Sequence, residues 1–215
     1  PGQSLACQIT PFDGEEAGTP IVSDAVQVVN NPPSLTLAEL GPSPAYTKST
    51  LVCTPKGWSD PDNDAPSYVY EWLVNANSVN GEVGATLIGT YFSKKQKVFC
   101  SVTPFDGEKY GNTVLSNGVT ISNTPPKVTV ATLSPKFGNK YDTYECAASG
   151  VVDEDMDSVQ FKTTWWINDV EVTGATGSTF QGGALEPDDQ LRCRVTPFDG
   201  EDNGATVSSD ASFVI

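Results

Sequence analysis

Cys100-Ser101-Val102-Thr103-Pro104-Phe105-Asp106-Gly107 is the middle one of three copies of a single phrase. Cys7-Gln8-Ile9-Thr10-Pro11-Phe12-Asp13-Gly14 lies 93 residues before it, and Cys193-Arg194-Val195-Thr196-Pro197-Phe198-Asp199-Gly200 lies 93 residues after it. The same shift carries Gly18 onto Gly111 and Gly204, Pro32-Pro33 onto Pro125-Pro126, Leu40 onto Leu133, Trp72 onto Trp165, Asn75 onto Asn168 and Gly81 onto Gly174. Cys53 and Cys146 fall midway between the outer cysteines, so all five cysteines are spaced by 46 or 47 residues. A period of this length is too long for a solenoid and suits a tandem array of small domains. The chain divides into two complete repeats, 30–122 and 123–215, preceded by the last 29 residues of another, 1–29. Beginning at Pro1 without a methionine, it reads as a piece of something longer.

Within one repeat, short apolar runs are punctuated by Gly, Pro, Asn and Asp every eight to twelve residues, and no stretch sustains a 3.6-residue period. Val98, Cys100 and Val102 alternate with polar neighbours, as in a strand with one buried face. The unit is therefore all-β, with strands expected at 34–40, 49–54, 66–74, 84–91, 96–104 and 113–121 and at the positions 93 residues further on. Each Pro-Pro pair lacks ladder donors and reads as a short stiff linker. The Asp-Gly of each TPFDG phrase reads as the start of a tight connection to the last strand.

Composition removes whole classes of function. The 215 residues contain 27 Asp+Glu against 12 Lys+Arg, a net charge of −15, and only Arg192 and Arg194 as arginines. Such a chain repels phosphate backbones and anionic lipid, so no nucleic-acid partner is expected. There is no histidine, which removes Ser-His-Asp, Cys-His and His-zinc chemistry. No run of 18 apolar residues is present for membrane insertion, and no basic-then-apolar leader occurs. A glycosidase-type carboxylate pair would be duplicated in every repeat, so no enzyme is expected. None of the twelve asparagines lies in an N-x-S/T sequon.

The order Cys53, Trp72, Cys100, repeated as Cys146, Trp165, Cys193, resembles the immunoglobulin-like β-sandwich family. More narrowly, the Trp-x-x-Asn strand, the TPFDG-x-x-x-G hairpin and the N-x-P-P linker are similar to tandem Ig-like repeats of large bacterial surface and secreted proteins. The resemblance implies tandem sandwiches serving as adhesin stalks or fibre modules. It also implies an inter-sheet disulfide in each repeat, Cys53 to Cys100 and Cys146 to Cys193, with the tryptophan packed on it. The absence of close CxxC pairs and of His points the same way, and an oxidising, extracellular or cell-surface location follows. Cys7 is left over. Val98 and Leu191 stand where the antibody-type pattern has its corner tyrosine, so no antibody-like recognition is implied.

Two loops carry D-x-D-x-D, namely Asp60, Asp62 and Asp64 and then Asp153, Asp155 and Asp157. Such alternation can aim several carboxylate oxygens at one hard cation, and calcium is the candidate. Neither loop is an EF-hand, since no Gly follows at the sixth position. In an Ig-like sandwich this loop shares an end with the TPFDG loop, which brings Asp106 to the first cluster and Asp199 to the second. Asn30, Asn31 and Asn123 come in at the same end. Ordinary turn chemistry by Asp and Asn is the competing reading. Lys94, Lys95 and Lys97 are either solvated or partners of Asp153, Asp155 and Asp157. Trp58 and Trp166, whose counterparts 93 residues away are Val151 and Leu73, are either half-buried against the sheet or platforms for a sugar ring. The partners expected are neighbouring repeats of the same polypeptide and other copies in a fibre. The functions left are a spacer with calcium at its junctions, an adhesion module, and a subunit that completes its sandwich with strands of another chain.

Overall fold

The computed structural model describes residues 2–215, which form two compact units. One holds the chain up to Ser43 with Thr50–Tyr91 and Gln96–Val119; the other holds Pro44–Ser49, Phe92–Lys95 and Thr120–Ile215. The architecture is all-β, with one short 3-10 turn at Gly182–Ala184, and it is an immunoglobulin-like sandwich in both units. Among the described residues, no helix is long and apolar enough to cross a membrane.

In the first unit Leu51–Lys56 is flanked by Thr86–Leu87 and Leu37–Gly41 in a three-stranded antiparallel sheet. Across the core, Lys97–Phe105 pairs with Ser67–Val74 and with Val114–Leu115, and Asn77–Ser78 continues from Ser67–Val74. Every second residue of Lys97–Phe105 is buried, so Val98, Cys100, Val102 and Pro104 form one apolar face. Cys100 lies opposite Trp72 in the register and is bonded to Cys53, their Cα atoms 6.3 Å apart, so the bond crosses from one sheet to the other. Trp72 is fully buried, and its Nε1–H donates to the Gly84 carbonyl at 2.8 Å.

The second unit repeats the plan. Val130–Ser134, Thr143–Ser149 and Thr179–Gln181 make one sheet, and Gln160–Ile167 pairs with Gln190–Phe198 in the other. Trp165 faces Cys193, which is bonded to Cys146 with a Cα separation of 6.2 Å. Tyr144, Phe180, Leu185 and Leu191 complete this core. Cys7 is a free, exposed thiol.

The motif asparagines are turn residues. Asn75 and Ala76 sit at φ 49° and 66°, and Asn168 and Asp169 at 48° and 64°, the left-handed pair a type I′ hairpin requires. Asn75 Oδ1 and Asn168 Oδ1 then accept the backbone N–H of Lys97 and Gln190, each at 2.9 Å.

Two expected strands differ from their sequence reading, and one strand lies where none was expected. The stretch 84–91 narrows to Thr86–Leu87, and 113–121 splits into Val114–Leu115 and Val119–Ser122. At the split the Asn117 amide takes over the ladder, accepting from Leu40 N–H at 2.9 Å and donating to Leu40 C=O at 3.0 Å. Val170–Thr176, opposite Gln160–Ile167 and bulged between Thr164 and Trp166, is a full strand where the first unit has only Asn77–Ser78.

Candidate metal centre

The TPFDG phrase is a self-contained turn. Asp106 Oδ1 accepts the backbone N–H of Glu108 at 2.7 Å and of Lys109 at 2.6 Å, and Asp199 Oδ1 accepts those of Glu201 and Asp202, both at 2.7 Å. Asp13 does the same with Glu15 and Glu16. The following glycine has φ near 100° in each copy, 109° at Gly14, 103° at Gly107 and 99° at Gly200, a conformation that side chains resist. With Oδ1 occupied by the turn, Asp106 and Asp199 turn Oδ2 toward the end of the sandwich where the D-x-D-x-D loop lies.

That loop is also a turn. Asp60 Oδ1 accepts from Asp62 N–H at 2.8 Å and Asp64 N–H at 3.3 Å, and Asn63 adopts φ 63°. The second loop repeats this through Asp153 Oδ1, with Asp155 N–H at 2.9 Å, Asp157 N–H at 3.1 Å and Met156 at φ 63°. Turn chemistry and cation chemistry are therefore not exclusive, because each leading aspartate spends one oxygen on the turn. Asp60 Oδ2 and Asp153 Oδ2 are buried without a hydrogen-bond partner.

Carboxylate oxygens of Asp60, Asp64 and Asp106 lie within 4.8 Å of one another, and so do those of Asp153, Asp157 and Asp199. The middle aspartates are engaged elsewhere. Asp62 Oδ2 accepts the Asn31 N–H and Asp155 Oδ2 the Thr124 N–H, both at 2.6 Å, and Thr47 Oγ1 also donates to Asp155. They anchor the linker that precedes each Pro-Pro pair.

The asparagine one residue earlier completes each cluster. Asn30 is 3% exposed and its Nδ2 donates to Asp106 Oδ2 at 2.8 Å, while its Oδ1 is buried with no partner. Lys109 Nζ donates to the Asn30 backbone carbonyl at 2.5 Å. Asn123 Nδ2 donates to Asp199 Oδ2 at 2.8 Å and to Asp202 Oδ2 at 2.9 Å. Lys94 Nζ donates to Asn123 Oδ1 at 3.0 Å and pairs with Asp157, and Lys95 pairs with Glu201 at 2.7 Å. Of the two readings of the lysines, Lys94 thus takes the paired one, and Lys95 pairs with a glutamate the sequence did not single out.

Burial pushes the Asp106 carboxyl up, but the N–H groups of Lys109 and Glu108 and the Asn30 amide outweigh it and hold it below the usual carboxylate range. At Asp199 burial is again opposed, here by the Asn123 amide, the N–H groups of Asp202 and Glu201 and the charge of Lys94, with the same net direction. Lys94 is raised, first by its hydrogen bond to Asp157, against desolvation, and further by the charges of Glu201 and Asp155.

The two copy-specific tryptophans are half-buried and occupied. Trp58 meets Tyr68 edge-on at 5.8 Å, and Trp166 stacks under Arg194 with its Nε1–H donating to Thr164 Oγ1 at 3.0 Å.

No family model and no curated protein matches the chain. Among solved structures it is similar to a Ca2+-stabilized adhesin that helps an Antarctic bacterium reach out and bind ice, at 15% identity and TM-score 0.35 over 98% of this chain and 56% of that one. It is similar to a two-domain fibronectin type III segment of chicken tenascin, at 11% identity and TM-score 0.40 over 80% and 94%. A third is the segment of immunoglobulin domains 1–5 of Sidekick-1, at 13% identity and TM-score 0.42 over 96% and 45%. The chain spans about half the length of the first and third of these chains.

Proposed function

We propose that the chain is a spacer segment of an extracellular or cell-surface fibre or adhesin stalk. On this reading it is a non-catalytic run of disulfide-stapled sandwiches over 30–122 and 123–215, following the closing strands of another over 1–29. Its partners are further repeats of the same polypeptide. Calcium is its ligand, held at the first cluster by Asp60, Asp64 and Asp106 with the Asn30 side-chain oxygen. One observation carries this reading: a linker amide with a buried, unpartnered carbonyl oxygen is hydrogen-bonded into a cluster of three carboxylates. A divalent cation there would screen the carboxylates from one another, satisfy Asn30 Oδ1 and Asp60 Oδ2, and fasten the linker to its sandwich. An all-oxygen donor set suits calcium rather than zinc, and magnesium demands stricter octahedral geometry.

The test is a thermal melt at pH 7 after exhaustive chelation, repeated with millimolar calcium and with the same concentration of magnesium. A ligand held by the folded state alone raises the midpoint. A rise of several degrees with calcium and little with magnesium supports the reading; three coincident curves overturn it.

A further inference from the structure

The two acidic clusters are copies of one pattern and are furnished differently. At the first, among the described residues, no lysine or arginine forms an ion pair with Asp60, Asp64 or Asp106. Asn30 Oδ1 is buried there without a partner, whereas Asp60 Oδ2 and its counterpart Asp153 Oδ2 are unpartnered at both clusters. Lys109 is nearby but is spent on the Asn30 backbone carbonyl. At the second cluster the counterpart of Lys109 is Asp202, a further acid, which accepts from Asn123. Lys94 Nζ sits on Asn123 Oδ1, the counterpart of the bare Asn30 Oδ1, and on Asp157, the counterpart of Asp64. Its side chain is only 20% exposed, and Glu201 Oε2 lies 3.9 Å from the same nitrogen.

An ammonium is a compact point charge with three donors and no acceptor. Calcium gathers six to eight oxygens at about 2.3–2.6 Å and would need the two oxygens that Lys94 already holds. A cation entering this cluster must therefore break both hydrogen bonds and also overcome repulsion by a fixed positive charge. Among the described residues no lysine or arginine obstructs the first cluster in this way.

We infer that Lys94 is a built-in counter-ion that takes the place of the metal at Asp153, Asp157 and Asp199, so that only the Asp60, Asp64 and Asp106 copy is a calcium site. The inference rests on the calcium reading above. It makes the two clusters functionally distinct: one couples its linker to external calcium, and the other is held whatever the calcium level. The sequence alone carries a trace of this asymmetry, since the residues 93 positions after Lys94 and Lys95 are Pro187 and Asp188.

The test counts calcium per chain by equilibrium dialysis against radioactive calcium, in physiological potassium chloride with magnesium present to suppress diffuse binding to the acidic surface. The proteins are the wild type and Lys94→Met, which keeps the apolar stem, each checked for folding by circular dichroism. The expected result is one calcium for the wild type and two for Lys94→Met, with the second lost again in Lys94→Met/Asp157→Asn and the first lost in Asp64→Asn. Two in the wild type, or one in both proteins, overturns the role of Lys94 while leaving the calcium reading intact. None in the wild type but one in Lys94→Met removes calcium from the first cluster and keeps Lys94 as the ion's substitute. None in either overturns both. If Lys94→Met fails to fold, Lys94→Gln is measured in its place, with the same counts expected.

Discussion

At Asp106 and Asp199 one side chain does two jobs, with Oδ1 holding the TPFDG turn and Oδ2 facing the linker asparagine. Both carboxyls sit below the ordinary carboxylate range, because donors outweigh the burial that opposes them. A depressed acid stabilises the fold above its unfolded-state pKa, about 3.8, and that contribution is lost as pH falls through the lower folded value. In chelator, the wild-type melting temperature should therefore fall more steeply between pH 5 and pH 2 than that of Asp199→Asn. The variant keeps the Oδ1 acceptor and cannot titrate. Parallel slopes would show that this carboxylate carries no differential charge stabilisation. The alternating aspartates were legible as a group, and so was the approach of Asp106, Asp199 and the linker asparagines. The different task of Asp62 and Asp155 was not, because the N–H groups they accept belong to residues 31 positions earlier and come within reach only in the folded chain. Thr47 and Lys109 were missed for the same reason.

The hairpin that follows TPFDG shows at the scale of an element why a second glycine recurs four residues on. The N–H groups of Gly111 and Gly204 each donate to the proline carbonyl of the motif, Pro104 and Pro197, at 2.9 Å, while a Cβ added at either would collide with the backbone oxygen of Pro33 or Pro126. Glycine is thus what lets the linker lie against the hairpin. Gly204→Ala should cost about 1–3 kcal/mol, as overpacking against a fixed neighbour does, and lower the melting temperature by several degrees. Gly183→Ala, whose Cβ meets nothing within 4 Å, should stay within about 0.5 kcal/mol. Denaturant melts of the two variants check this, and equal midpoints would sink the explanation. Strand positions around the cysteines and tryptophans were readable because burial on one face imposes a period of two. Val170–Thr176 was not, since its residues are mostly exposed and its pairing with the Trp166 strand is bulged, leaving no clean alternation to read.

For the molecule as a whole, each disulfide joins cysteines of one compact unit, Cys53–Cys100 in the first and Cys146–Cys193 in the second. Each closes a span of 47 residues, for which the chain-entropy treatment gives about 4 kcal/mol. Set against a typical net stability of about 5–15 kcal/mol, that is a large share for a small sandwich. A thiol assay should find one reactive group per native chain, the exposed Cys7, and five after reduction in denaturant. Replacing Cys53 and Cys100 together by alanine removes the constraint from one unit only. Calorimetry should then show unfolding split into an early transition and a later one, the later keeping the wild-type midpoint and disappearing from that position when Cys146 and Cys193 are also replaced. A single transition displaced as a whole would mean that the two units unfold as one cooperative body.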